Sequence, residues 1–257
     1  MATEQALRFK EGPLHAAGPL RNLLIAGGVG HPAETVAKAL DESLAPLGIV
    51  TELEEDVLRG CERLATGGYA LLTVAALRWR MQGPRYAADR ARWAFSLPKS
   101  AREAIRAYLR GGGALLALHT AAICFDDWPE WGEIVGARWI WGQSGHPPYG
   151  RAEVRFAPDE GANLVADLSD FECRDEVYQR LWLAEDVRPL AHARSADAED
   201  PAWRAWAPVL WTREWRGARV VYDALGHDAD SLDHPVHRQL LARAALHALG
   251  REVSPAN

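Results

Sequence analysis

The chain has few cysteines, no long apolar run and no surplus of positive charge. Its three cysteines, Cys61, Cys124 and Cys173, are far apart, odd in number and form no CxxC pair. That argues against a disulfide framework and against a cysteine-rich zinc site. No stretch of about 18 apolar residues occurs, so no membrane span is expected. The formal net charge is −6 over 257 residues. Phosphate binding needs a basic face, so nucleic acid is not an expected partner. There is no HExxH motif, and Gly27-Gly28-Val29-Gly30-His31-Pro32 lacks the third glycine of a dinucleotide fingerprint. Met1 to Leu20 has no charged start followed by an apolar core, and reads as a loose leader on a cytoplasmic protein.

What is present is an alternation of apolar strands and amphipathic helices. Strands are expected over Arg21–Ala26, Ile49–Leu53, Tyr69–Val74 and Leu115–Leu118. Helices fall between them: one carries Ala33, Val36, Ala37, Leu40 and Leu44, one follows Asp56, and one runs from Pro98 to the triplet Gly111-Gly112-Gly113. Such alternation implies parallel pairing through right-handed crossovers, that is, an α/β, flavodoxin-like, doubly wound, mostly parallel sheet. The second half adds strands at Arg151–Phe156, Val177–Leu183, Val209–Trp215 and Arg219–Leu225, the last two as a hairpin around Arg216-Gly217, so an antiparallel extension is expected. A helix from Pro235, closed by Gly250, completes one domain over 21–250, with a short tail over 251–257.

Ligands bind at the carboxyl ends of strands in open α/β sheets. Five places converge there in prospect. His31 follows the first strand and His119 follows Leu115–Leu118, where strand–turn–helix geometry exposes the nucleophile in hydrolases. His146 lies in the loop Gly142-Gln143-Ser144-Gly145-His146-Pro147-Pro148, and His227 follows the last strand. In Cys173-Arg174-Asp175-Glu176-Val177-Tyr178, strand alternation puts Glu176 and Tyr178 on one face and Asp175 on the other, so the two acids are not a paired couple. Imidazoles and a carboxylate together suit acid/base work or a divalent metal such as zinc, with His119, His146 and His227 as candidate ligands. His119 is expected to face a cleft and contribute little to packing.

Two compositional oddities remain. The 11 tryptophans offer faces on which sugar rings can stack, although most tryptophans serve core packing. Arg78 to Leu97 interleaves arginines with Trp79, Tyr86, Trp93 and Phe95, and reads as a lid over a hydroxyl-rich or anionic ligand, as a solvated insertion, or as a contact in a homo-oligomer. Ala196 to Trp206 reads as plain surface loop.

The ordered set Gly27-Gly28…His31, Gly111-Gly112-Gly113…Leu118-His119, Trp128-Pro129-Glu130, His146-Pro147, Asp175-Glu176-Val177-Tyr178, Pro208-Val209-Leu210-Trp211-Thr212-Arg213-Glu214 and Leu225-Gly226-His227 resembles the ThuA-like, or trehalose-utilisation, family over residues 20 to 250. The resemblance implies a class I glutamine amidotransferase-like fold and a link to bacterial sugar catabolism. Active amidotransferases of that superfamily use an elbow cysteine with a downstream His-x-Glu. Here the elbow is His119, the downstream string is His227-Asp228-Ala229, and Cys124 lies about a turn and a half into the next segment. Cysteine-triad glutamine hydrolysis is therefore not expected. The leading expectation is an enzyme acting on a sugar or sugar derivative. His119, Glu176 and His227 carry the chemistry, and His31, His146, Tyr178 and Trp211 line the pocket. The alternatives are a non-catalytic carbohydrate-binding or regulatory protein, and a scaffold subunit of a separate enzyme.

Overall fold

The structure is a computed structural model that describes residues 18–157 and 164–251. Nearly all of the expected leader and tail lies outside the described residues, as does His15. The chain runs β1 (Leu20–Gly28), α1 (Ala33–Leu44), β2 (Ile49–Glu54), α2 (Val57–Thr66), β3 (Leu71–Leu77), α3 (Arg90–Trp93), α4 (Lys99–Arg110), β4 (Ala114–Leu118), α5 (Pro129–Val135) and β5 (Ala137–Arg138). It continues through β6 (Gly150–Phe156), β7 (Phe171–Asp175), β8 (Trp182–Leu183), β9 (Arg188–Ser195), β10 (Ala207–Trp215), β11 (Ala218–Asp223), α6 (Ala229–Leu232) and α7 (Pro235–Ala248).

One nine-stranded sheet has the order β2-β1-β3-β4-β11-β10-β9-β6-β7. The five strands from β2 to β11 are parallel, and the remaining ladders are antiparallel. This is the doubly wound, flavodoxin-like sheet with an antiparallel extension. Helices cover both faces, α1 packing with α7 and α2 with α4. Every residue of β3 and β4 is buried, as a strand sandwiched between two helical layers must be. Asp56 caps α2 by accepting from the backbone N–H groups of Leu58 and Arg59.

The expected strand over Val177–Leu183 is not there. Strand β7 ends at Asp175 because its only partner, β6, begins at Gly150, the residue opposite Asp175. From Glu176 onward there is no ladder to continue: Gln179 makes a single antiparallel bridge with Gly145, and Trp182–Leu183 pairs with β5. Strand β9 was not anticipated. Its apolar side is built from alanines and a serine, which are weak strand formers.

Strand β11 ends at Asp223, which is fully buried. Its carboxylate accepts from His237 Nε2 at 3.0 Å, and His237 Nδ1 donates to the Ser231 carbonyl at 2.9 Å. Both ring nitrogens face acceptors, so the site calls for the imidazolium. Burial opposes that charge, but Asp223 outweighs it and raises the His237 pKa above its ordinary 6.5. A raised pKa contributes stability that is complete below 6.5 and is lost as pH climbs through the raised value. Urea unfolding at a series of pH values should therefore show stability falling above about pH 6.5. His237→Gln should flatten that part of the profile. His237→Ala leaves Asp223 buried and unpaired, and should cost about 3–5 kcal/mol.

Candidate functional site

The parallel strands deliver their carboxyl ends to one edge of the sheet. At the end of β1 the chain turns through Gly27, Gly28 and Gly30, all at positive φ, and presents His31. Gly28 is needed there, because a Cβ would lie 2.5 Å from the Leu77 carbonyl. Beyond β4 the backbone breaks at His119 itself, which sits at φ 38°, in a left-handed region a non-glycine residue rarely adopts. Strain of this kind gathers at functional sites. Beyond β11, Gly226 at φ 108° turns the chain to His227. Strand β7 points the same way, two antiparallel reversals on each side of β9, and its end brings in Glu176. The buried carboxylate of Asp175 anchors this junction by accepting from the Gly226 N–H at 2.7 Å and the Glu176 N–H at 2.7 Å. The two adjacent acids thus make different contacts, although Glu176 lies beyond the end of β7 and not on a strand face.

His31, His119, Glu176 and His227 form one cluster, each offering a donor atom within 4.8 Å of the others. The His119 and His227 rings are 5.6 Å apart, inside a reach of about 10 Å for one small ligand. His31 lies 5.4 Å from the His119 ring and 4.8 Å from the His227 ring. His119 Nδ1 donates to the Ala224 carbonyl at 2.7 Å, and His31 Nδ1 donates to the Val29 carbonyl at 2.8 Å. A carbonyl can only accept, so both rings carry their proton on Nδ1 and leave Nε2 as a lone pair. The Tyr178 hydroxyl donates to His119 Nε2 at 2.9 Å, while His31 Nε2 is buried with no partner.

Burial lowers the His119 pKa well below the ordinary range, with His31 beside it adding to the push. Burial also lowers that of His31, against the opposing pull of the Val29 carbonyl. Glu176 holds its carboxyl below the usual value, since His227 and His146 together outweigh the burial that opposes ionisation. Glu176 in turn raises His227. His227 Nδ1 lies 3.3 Å from Glu176 Oε2, an ion-pair distance without hydrogen-bond alignment. His146 stands at the rim, its Nδ1 hydrogen-bonded to the Pro147 carbonyl and 3.7 Å from Glu176 Oε1. The metal-ligand set expected from sequence was His119, His146 and His227; the four atoms that actually converge include His31 and Glu176 and leave out His146.

Two other expectations need correction. Trp211 does not wall the pocket. It lies on the core side of β10, fully buried against Tyr222, and its Nε1 donates to the Val135 carbonyl. His119 is not cleft-exposed but 2% exposed. The aromatic wall comes from elsewhere. A cleft of about 750 Å³ beside the cluster is lined by Trp79, Tyr86, Trp139, Trp141, Trp203 and His146, with Arg85 and Arg180 at hand. Trp79 stacks on Trp141, and the Trp139 ring touches both His146 and Tyr178. Trp79 and Tyr86 belong to the arginine-rich segment, which is tied to the body where the Phe125 N–H donates to the Arg78 carbonyl and the Arg80 N–H donates to the Asp126 carboxylate. Trp203 comes from the loop expected to be plain surface. Trp139 and Trp141 flank Ile140 immediately before the glycine-rich loop, a signal that aromatic spacing could have supplied. All three cysteines are buried with raised pKa values, Cys61 and Cys173 to about 12, so none offers a thiolate.

Because His119 is buried and doubly hydrogen-bonded, His119→Ala should leave the Ala224 carbonyl and the Tyr178 hydroxyl without partners. The expected loss is about 1–3 kcal/mol of unfolding free energy, measured by urea denaturation. A loss near zero would mean that the ring is not held as described.

Known proteins agree with this architecture. Nothing among curated proteins matches the chain. A ThuA-like protein from Parabacteroides merdae superposes with a TM-score of 0.71 at 19% identity, covering 93% of each chain. One from Bacteroides uniformis gives 0.64 at 18% identity, covering 91% of this chain and 94% of that one. A cytoplasmic protein from Salmonella typhimurium gives 0.54 at 12% identity, covering 90% and 98%. At these identities the likeness is one of fold. The family model described as trehalose utilisation matches residues 92–248, and by that match the chain belongs to the ThuA family.

Proposed function

We propose that the chain is an enzyme acting on a sugar or sugar derivative, trehalose or a related glycoside among them, with His31, His119, Glu176 and His227 as the reacting centre. The observation that carries this reading is the continuity between the aromatic cleft and the cluster: Trp139 touches His146 and Tyr178, and Tyr178 reaches His119. Indole faces suit the apolar faces of sugar rings, and the forked donors of Arg85 and Arg180 suit hydroxyl or carboxyl groups. Hydrolysis, isomerisation and elimination on a sugar all need a group to take a proton and another to give one. The cluster holds an ionised carboxylate, an imidazole it favours in the charged form, and two neutral imidazoles. The family description, trehalose utilisation, agrees with a sugar ligand. The expected compartment is the cytoplasm.

A non-catalytic carbohydrate-binding protein is the second reading. It accounts for the cleft but not for a strained elbow at His119 or a buried, unpartnered nitrogen on His31. A panel of disaccharides, sugar acids and sugar phosphates, followed by calorimetry and by NMR of the products, separates the two. Trp141→Ala should weaken binding of the active sugar about tenfold, through loss of stacking area. Glu176→Gln should abolish turnover while leaving affinity within a few-fold. Binding without turnover in the unmodified protein would favour the second reading, and no binding at all would overturn both.

A further inference from the structure

We infer that His31, His119, Glu176 and His227 bind one divalent transition-metal ion, zinc being the ion whose preferred donors match three imidazoles and a carboxylate. The inference shares its residues with the reading above but does not rest on it. Its first support is distance. Donors about 2.1 Å from a common zinc ion stand at most about 4.2 Å apart, so side-chain movements under about 1 Å close a cluster whose atoms lie within 4.8 Å.

The second support is how the ligands are prepared. Metal-binding histidines usually donate their other ring N–H to a carbonyl or carboxylate, which fixes the tautomer and aims the lone pair. His31 does so to Val29 and His119 to Ala224. These two carbonyls come from different strand ends, so the arrangement is a property of the fold.

The third support is unmet hydrogen-bonding capacity. His31 Nε2 is buried without a hydrogen-bond partner, and His227 Nδ1 faces the Glu176 carboxylate at 3.3 Å without an aligned hydrogen bond. A buried polar atom left unpaired costs about 1–3 kcal/mol. A cation among these atoms would satisfy them together and would also balance Glu176. The Tyr178 hydroxyl, 2.9 Å from His119 Nε2, gives up that hydrogen bond when the ion takes the lone pair, and is then free to hold a water on the ion.

The test uses the full chain, stripped with a chelator and with no sugar present. Zinc is titrated by calorimetry, and cobalt(II) by its visible absorption. The expected result is one equivalent per chain. His31→Ala and Glu176→Gln should each weaken binding by at least about tenfold, the scale seen when even outer-shell partners are lost. His146→Ala should hold affinity within about threefold, because His146 is bonded to Pro147 and stands outside the ligand set. Circular dichroism reports whether each variant folds. X-ray absorption on the zinc-loaded unmodified protein counts imidazoles without any substitution, and two or more are expected. Absence of stoichiometric binding, fewer than two imidazoles, binding unchanged in His31→Ala, or binding lost in His146→Ala would each overturn the inference. A chain that takes the ion but no sugar would uphold it while overturning the sugar reading.

Discussion

Two backbone carbonyls set the chemistry of this protein. Val29 and Ala224 each accept a proton from an imidazole Nδ1, and both rings therefore present a lone pair on Nε2. Neither carbonyl is free to move. Val29 follows Gly28, whose positive φ and close approach to the Leu77 carbonyl leave no room for a side chain. Ala224 is held by its own N–H, which donates to the Val209 carbonyl at 2.7 Å, and by Asp223, which accepts from Leu225. The tautomers follow from where parallel strands stop, and so does the reach of the site.

Charge completes the arrangement. A single carboxylate, Glu176, faces His119, His146 and His227. Burial works against charge here and holds His31 and His119 toward the neutral form, while Glu176 draws His227 toward the charged form. Asp175 is spent on backbone N–H groups instead, which pins the end of β7 to the loop after β11. One acid thus builds the site and its neighbour takes part in it. The aromatic cleft lies beside this centre, and Trp139 in its lining meets both His146 and Tyr178.

Much of this could be read from sequence because it depends on strand ends. Continuous apolar runs such as Leu115–Leu118 and glycine-led turns announce buried parallel strands, and a histidine after each one announces a shared edge. Glu176 and Tyr178 both reach the cluster, but from an irregular segment and not from the strand face that alternation predicted. Strand β9 was hidden by its alanines. Trp211 was misplaced because a tryptophan in a strand reads the same whether it faces core or cleft. The cleft tryptophans were the least legible, since Trp79, Trp139, Trp141 and Trp203 come from three separate loops that only the folded chain brings together.

The measurement closest to the centre of this account is the protonation of the histidines, read by long-range nitrogen–proton NMR on uniformly labelled protein near neutral pH without metal. His31 and His119 should both appear neutral with the proton on Nδ1, each with a slowly exchanging ring N–H bonded to a backbone carbonyl. A proton on Nε2 of either ring, or a charged imidazole at either position, would contradict the account, because the lone pairs on which the site depends would not be there.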